Sequence, residues 1–216
     1  MVQIELFPYE RRSLETLERA FGIERETVVG FAQSLNALRK TFQKLLGDAG
    51  QEFRGGRIVI LGLINNAHHL FAGGLQALEA GNGVVWSACV RGLMETFGAC
   101  VMISAKPESV TNHLQHVDAG KLYSAAARSK PGLGADIKRL HKIVHPGPGA
   151  IYSGFKVVDE KKRSARLKLG LRQPEPHEGQ EAMTVLANLA LFLEDQIDAL
   201  AENHKVLSAG MVVMSR

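Results

Sequence analysis

Cysteine is nearly absent from this chain, with two among 216 residues, Cys89 and Cys100. On one helix they would lie about three turns, roughly 16 Å, apart, far beyond disulfide reach. They are expected to be small core residues of a reduced, cytoplasmic protein. Aromatics are also scarce, with one Trp, three Tyr and nine Phe, which argues against a platform for stacking single-stranded bases. The opening MVQIELFPYERR lacks the charged start, apolar run and cleavage site of a secretory signal. There is no internal repeat, no GxGxxG, no HExxH and no Glu-x-x-His of the di-iron bundles.

Charge is present but unevenly spread. The formal net charge is +4, yet residues 121–172 hold 13 Lys/Arg against Asp136, Asp159 and Glu160, a local +10 that leaves −6 elsewhere. Such segregation fits one basic surface that attracts an anion, a nucleic acid or an acidic protein. It fits equally a basic segment of one subunit facing an acidic segment of another. The length and the 45% apolar content point to a single domain with a real core.

Apolar spacing reads mainly helical. Leu14, Leu17 and Phe21 mark a short helix, and Val28, Phe31, Leu35, Leu38, Phe42 and Leu45 mark a longer one closed by Gly47. A long helix is expected from Gly55-Gly56 to beyond Leu78. Residues 84–105 are apolar on nearly every face, which suits a central bundle helix or a membrane span. Arg91 and Glu95 near its middle are too unfavourable in a bilayer, so a soluble bundle is expected, with no membrane partner. Pro107 fits the first turn of a helix carrying Val110, Leu114 and Val117. From Phe155 the period changes to two: Ala165, Leu167, Leu169 and Leu171 alternate with Arg166, Lys168, Gly170 and Arg172. With Phe155 and Val157 across the DEKKRS turn, this predicts a β-hairpin with one basic face, whose binding residues are Lys156, Lys161, Lys162, Arg163, Arg166, Lys168 and Arg172. Met183, Leu186, Leu193, Ile197 and Leu200 mark a long final helix, and the apolar tail VLSAGMVVMSR either docks or frays. The predicted organisation is N-terminal helices over 1–50, a bundle core over 57–149, the hairpin over 150–173 and a last bundle helix over 175–203.

Arg91 and Glu95 are the only charges in that apolar run, and four residues apart they share a face. Buried charges need partners or a water-lined cavity. Two readings are open: an internal ion pair that fixes helix register, or a cleft with Glu95 as general base and Arg91 as anion clamp.

Histidines fall partly in pairs: His68 with His69, His113 with His116, His141 with His145. The last two pairs have metal-ligand spacing on a helix, and on facing helices they could make a four-ligand zinc or iron site, which keeps a histidine-ligated metal protein as the lowest-ranked alternative. No recognisable motif accompanies them, so neither metal nor cofactor is expected. In KRLHKIVHPGPGA, Arg139 and His145 lie about 120° apart on a regular helix. Pro146 disfavours helical geometry at His145 and makes it a boundary residue, free to turn back toward Arg139 or toward another helix.

R-G-L-M-E at Arg91 to Glu95, with H-P-G-P at His145 to Pro148 downstream, resembles uncharacterised bacterial helical proteins similar to the HEPN (higher eukaryotes and prokaryotes nucleotide-binding) superfamily. Arg139 and His145 match its signature of an Arg followed after four to six residues by His. Leu140 departs from the polar residue that often follows the Arg. The resemblance spans residues 57–203 and implies an antiparallel bundle of four or five helices and a homodimer. In active members it implies metal-independent RNA cleavage at the dimer interface, here by Arg139 and His145 with Arg91 and Glu95 nearby. Members without activity act as binding or scaffold modules for RNA or acidic protein partners, including in defence and toxin–antitoxin systems.

Overall fold

A computed structural model describes residues 6–47, 52–114, 118–130, 132, 155–159, 164–167, 176–210 and 212–214. For residues 52, 53, 113, 114, 155–159, 164–167 and 212–214 it describes the backbone alone. The chain is mainly helical: α1 (Pro8–Phe21), α2 (Arg25–Gly47), α3 (Gly55–Glu79), α4 (Gly83–Ala105), α5 (Ala119–Ser129), α6 (Pro176–Glu202) and the single turn α7 (His204–Leu207). Short-range chemistry sets the helix ends. Pro8 opens α1, where its missing N–H leaves no bond unmade, and Gly22 closes it at φ 61°. The Asn82 side chain accepts from the Val85 N–H at 3.1 Å to start α4.

The helices share one apolar core. The stripe of α1 (Leu14, Leu17) and that of α2 (Phe31, Leu35, Leu38) meet Ile60, Ile64 and Phe71 of α3. Met94, Phe97 and Cys100 of α4 and Leu186, Leu193 and Ile197 of α6 complete it. Each fully buried Leu or Phe contributes about 1.5–3 kcal/mol relative to exposure. The α4 helix packs on α3, α5 and α6, and α6 also lies along α2, where the Thr41 hydroxyl donates to Asp198 Oδ1 at 2.6 Å. By length and composition alone, α3 and α4 could each cross a membrane. In this fold their apolar residues line the shared core.

One expected helix divides in two. Pro107–Leu114 is a 3-10 helix, and a new helix starts at Ala119, where the Asp118 carboxylate accepts from the Gly120 N–H at 2.8 Å. Aspartate satisfies orphan backbone donors better at a helix start than inside one, so Asp118 marks a beginning that the apolar spacing hides. Val117 lies outside the described residues.

The tail is tied back onto the bundle. Gly210 (φ 84°) turns the chain, and Val212–Met214 pairs antiparallel with Glu52–Arg54, setting Phe53 opposite Val213. Phe155–Asp159 and Ser164–Leu167 also pair antiparallel, with Lys156 opposite Arg166 and Val157 opposite Ala165. Residues 160–163, where the turn of the expected hairpin falls, lie outside the described residues.

Two glycines let neighbouring backbones approach. A Cβ at Gly98 would collide with the backbone carbonyl of Leu122 on α5, and one at Gly56 with that of Val206 on α7. Gly62, also helical, faces open space. Overpacking a tight contact costs about 1–3 kcal/mol, whereas Gly to Ala at an open helical site gains about 1 kcal/mol. Gly98→Ala is therefore expected to lower, and Gly62→Ala to raise, the urea midpoint of unfolding at an unchanged m-value.

Candidate functional site

Among the described residues, two clusters place charged side chains against the apolar bundle. One was legible in the sequence. Arg91 Nε donates to Glu95 Oε1 at 3.3 Å, and the two side chains are 29% and 31% exposed. Tyr123, brought in by α5, lies under the pair with its ring centroid 5.2 Å from the Arg91 guanidinium carbon. Its hydroxyl is shut off from solvent and faces Glu95 without a hydrogen bond of good geometry. Burial first, and then the negative charge of Glu95, push the tyrosine pKa upward, so it stays a neutral phenol at physiological pH. Close by, the Asn66 amide donates to Thr96 Oγ1 at 3.0 Å, and Thr96 donates in turn to the Gly92 carbonyl at 2.8 Å. These contacts tie α3, α4 and α5 together at one level of the bundle.

The other cluster is more deeply buried, and sequence reasoning missed it. Glu10, only 2% exposed, accepts from Arg39 Nη2 at 3.0 Å on Oε1 and 2.9 Å on Oε2. The Phe7 N–H adds a third bond to Oε2 at 2.8 Å. The Arg39 guanidinium lies 4.0 Å over the Phe7 ring, and Tyr9 stacks on that ring with centroids 5.8 Å apart. His68 of α3 adjoins this pair. Among the described residues, both of its ring nitrogens are buried without a hydrogen-bond partner. Burial, and then the positive charge of Arg39, hold its pKa below the ordinary value, with Glu10 opposing and His69 adding to the effect.

A weak signal for this cluster does exist. His68 takes a position on the apolar stripe Ile64–Phe71–Leu75, and Arg39 sits between Leu35 and Phe42 on that of α2. Polar residues on buried stripes need partners. Glu10 is the third residue of a helix opened by Pro8, where a carboxylate can reach back to orphan N–H groups. Spacing alone does not show that these three residues meet.

Of the remaining predicted site residues, Arg139, His145, Lys161, Lys162, Arg163, Lys168 and Arg172 lie outside the described residues. Lys156 and Arg166 are described only as strand backbone. Among the described residues, no three His, Cys, Asp or Glu side chains gather as metal ligands. Both thiols are free. Burial raises the pKa of Cys89 and pushes that of Cys100 up to about 12, so neither is a ready thiolate nucleophile.

Breaking a buried ion pair by removing one partner costs about 3–5 kcal/mol, because the other charge is left unsolvated, whereas a partly exposed pair is worth about 1 kcal/mol or less. Arg39→Ala is expected to destabilise by the larger amount and Arg91→Ala by the smaller, as read from urea unfolding curves. Equal losses would mean that the two clusters do not differ in structural weight. No family model, curated protein or solved structure matches this chain.

Proposed function

We propose that this chain is a HEPN-like helical protein that binds RNA as a non-catalytic, cytoplasmic homodimer, of the kind that serves a defence or toxin–antitoxin system. The observation that carries the reading is the charge segregation: a net +10 within residues 121–172 against −6 in the rest. The strand pair supports it, since Lys156 directly opposite Arg166 puts two cations at the same register position. Like charges opposite one another repel, and a polyanion crossing the hairpin would relieve that repulsion. In this reading the basic face also includes Lys161, Lys162, Arg163, Lys168 and Arg172, and it tracks phosphates while the bundle acts as scaffold. The pairing of Arg91 with Glu95, half-covered and with Tyr123 of α5 against the guanidinium, supports a register-fixing role for those charges.

The spacing Arg139-x5-His145 favours a second reading, a metal-independent ribonuclease. There the 2′-hydroxyl of ribose attacks the adjacent phosphorus and the bond to the 5′-oxygen of the next nucleotide breaks, leaving a 2′,3′-cyclic phosphate. His145 takes the hydroxyl proton and delivers a proton to the departing 5′-oxygen, and Arg139 stabilises the charged intermediate.

One experiment separates the two. Full-length protein is titrated against a single-stranded RNA in EDTA, with binding and cleavage followed at 50 and 200 mM KCl. A module that neutralises about four phosphates on a single strand loses about 50-fold in affinity over that range. The variant Lys161→Glu/Lys162→Glu/Arg163→Glu is expected to bind at least about tenfold more weakly and with a shallower salt dependence. Salt-insensitive binding, or an unchanged triple variant, overturns the binding reading. Cleavage that disappears in His145→Ala establishes the second reading in its place.

A further inference from the structure

We propose that His68 is an acid-operated release for helix α1: on protonation the imidazolium competes with Arg39 for Glu10 and loosens the N-terminal helix from the bundle. The proposal starts from geometry. Glu10 anchors the start of α1 through Arg39 of α2, which bonds both carboxylate oxygens, and through the Phe7 N–H. The Phe7 ring is held between Arg39 and Tyr9, so the entry into α1 depends on where that guanidinium sits. His68 lies on α3, which packs against both α1 and α2, close enough to feel the charges of Arg39 and Glu10. Its two ring nitrogens are buried and, among the described residues, bonded to nothing.

Among the described residues, the charged and titratable groups facing His68 come from three elements: Glu10 of α1, Arg39 of α2 and the adjoining His69 of its own helix. Tyr9 faces Glu10 as well and has its pKa raised by partial burial and by that carboxylate. A neutral imidazole fits this setting, because it adds no charge next to Arg39. A proton changes the balance. His68 then carries two N–H donors and a positive charge in a place where Glu10, the carboxylate that faces it among the described residues, is already occupied by three bonds. A buried cation without a partner is strongly disfavoured, so the imidazolium either displaces Arg39 from Glu10 or is driven toward water. The first outcome breaks the contact that holds Phe7 and the first turn of α1, and the second opens the seam between α1 and α3 in which that contact is buried.

The direction follows from proton linkage. Burial and Arg39 depress the folded-state pKa of His68 below 6.5. At pH values above 6.5 both folded and unfolded states are neutral, and the clamp is at full strength. Below 6.5 the unfolded or released state binds the proton first, and the clamp weakens until the folded-state pKa is reached. One linked proton gives at most about a tenfold change in the release equilibrium per pH unit.

The test is hydrogen exchange on the full-length protein at pH 7.5 and 5.0, with rates corrected to protection factors for each pH. In the wild type, protection within residues 8–21 should fall about tenfold or more at the lower pH, while that within residues 186–200 of α6 changes little. His68→Gln keeps a neutral polar side chain and should make α1 protection independent of pH. His68→Phe serves the same purpose if the glutamine variant does not fold, and His69→Gln should behave as wild type. Constant α1 protection in the wild type, a parallel fall in α6, or an unchanged pH response in the His68 variant would each overturn the proposal.

Discussion

A helix that is apolar on nearly every face has to be surrounded, and α4 imposes that demand on the whole bundle. Water covers a polar stripe at no cost, but α4 offers almost none over its 23 residues. Three helices answer it. α3 and α6 supply apolar stripes, and α5 crosses close enough to touch backbone because Gly98 has no side chain in the way. That close crossing brings Tyr123 to Arg91 and Glu95. The ion pair is then neither a deep structural charge nor a free surface pair, but a half-covered contact whose surroundings are set by how tightly α5 fits.

Helix α1 is held by different physics. Its apolar stripe is short, and its first turn is anchored by a carboxylate that has given up water for three hydrogen bonds. Charge-assisted bonds in a desolvated place are strong while every partner is present, and their loss is costly when one is missing. The bundle therefore has two modes of attachment. Apolar packing joins α2, α3, α4 and α6 over long surfaces, whereas α1 relies in part on one polar knot beside an imidazole. Packing of the first kind is indifferent to pH, and attachment of the second kind is sensitive to it.

The described helices bring no metal-ligand cluster and no poised thiol together. Glu10 with Arg39, and Arg91 with Tyr123, each join two helices. The excess of positive charge lies in residues 121–172, most of which fall outside the described residues.

Much of the architecture was legible in the residues alone. The stripes of α1, α2, α3 and α6 follow helical spacing, and that of α2 closes at Gly47 as expected, because backbone geometry turns sequence period directly into a face. The last helix starts at Pro176, inside the stretch QPEPHEG that reads as a loop. Arg91 and Glu95 stood out because a charge inside an apolar run has few alternatives, and four residues on a helix is within reach. The division at Asp118 and the pairing of the tail with Glu52–Arg54 were not legible. A capping residue resembles any other polar residue in a spacing argument, and a three-residue strand has almost no period. The meeting of Glu10, Arg39 and His68 was hidden for a stronger reason. Each lies on a separate helix, where a polar residue on a stripe is common, and spacing along a chain carries no information about what crosses it. Local order follows from the period of the chain. The identity of each buried partner was decided only when the side-chain volumes of the packed helices set how those helices cross.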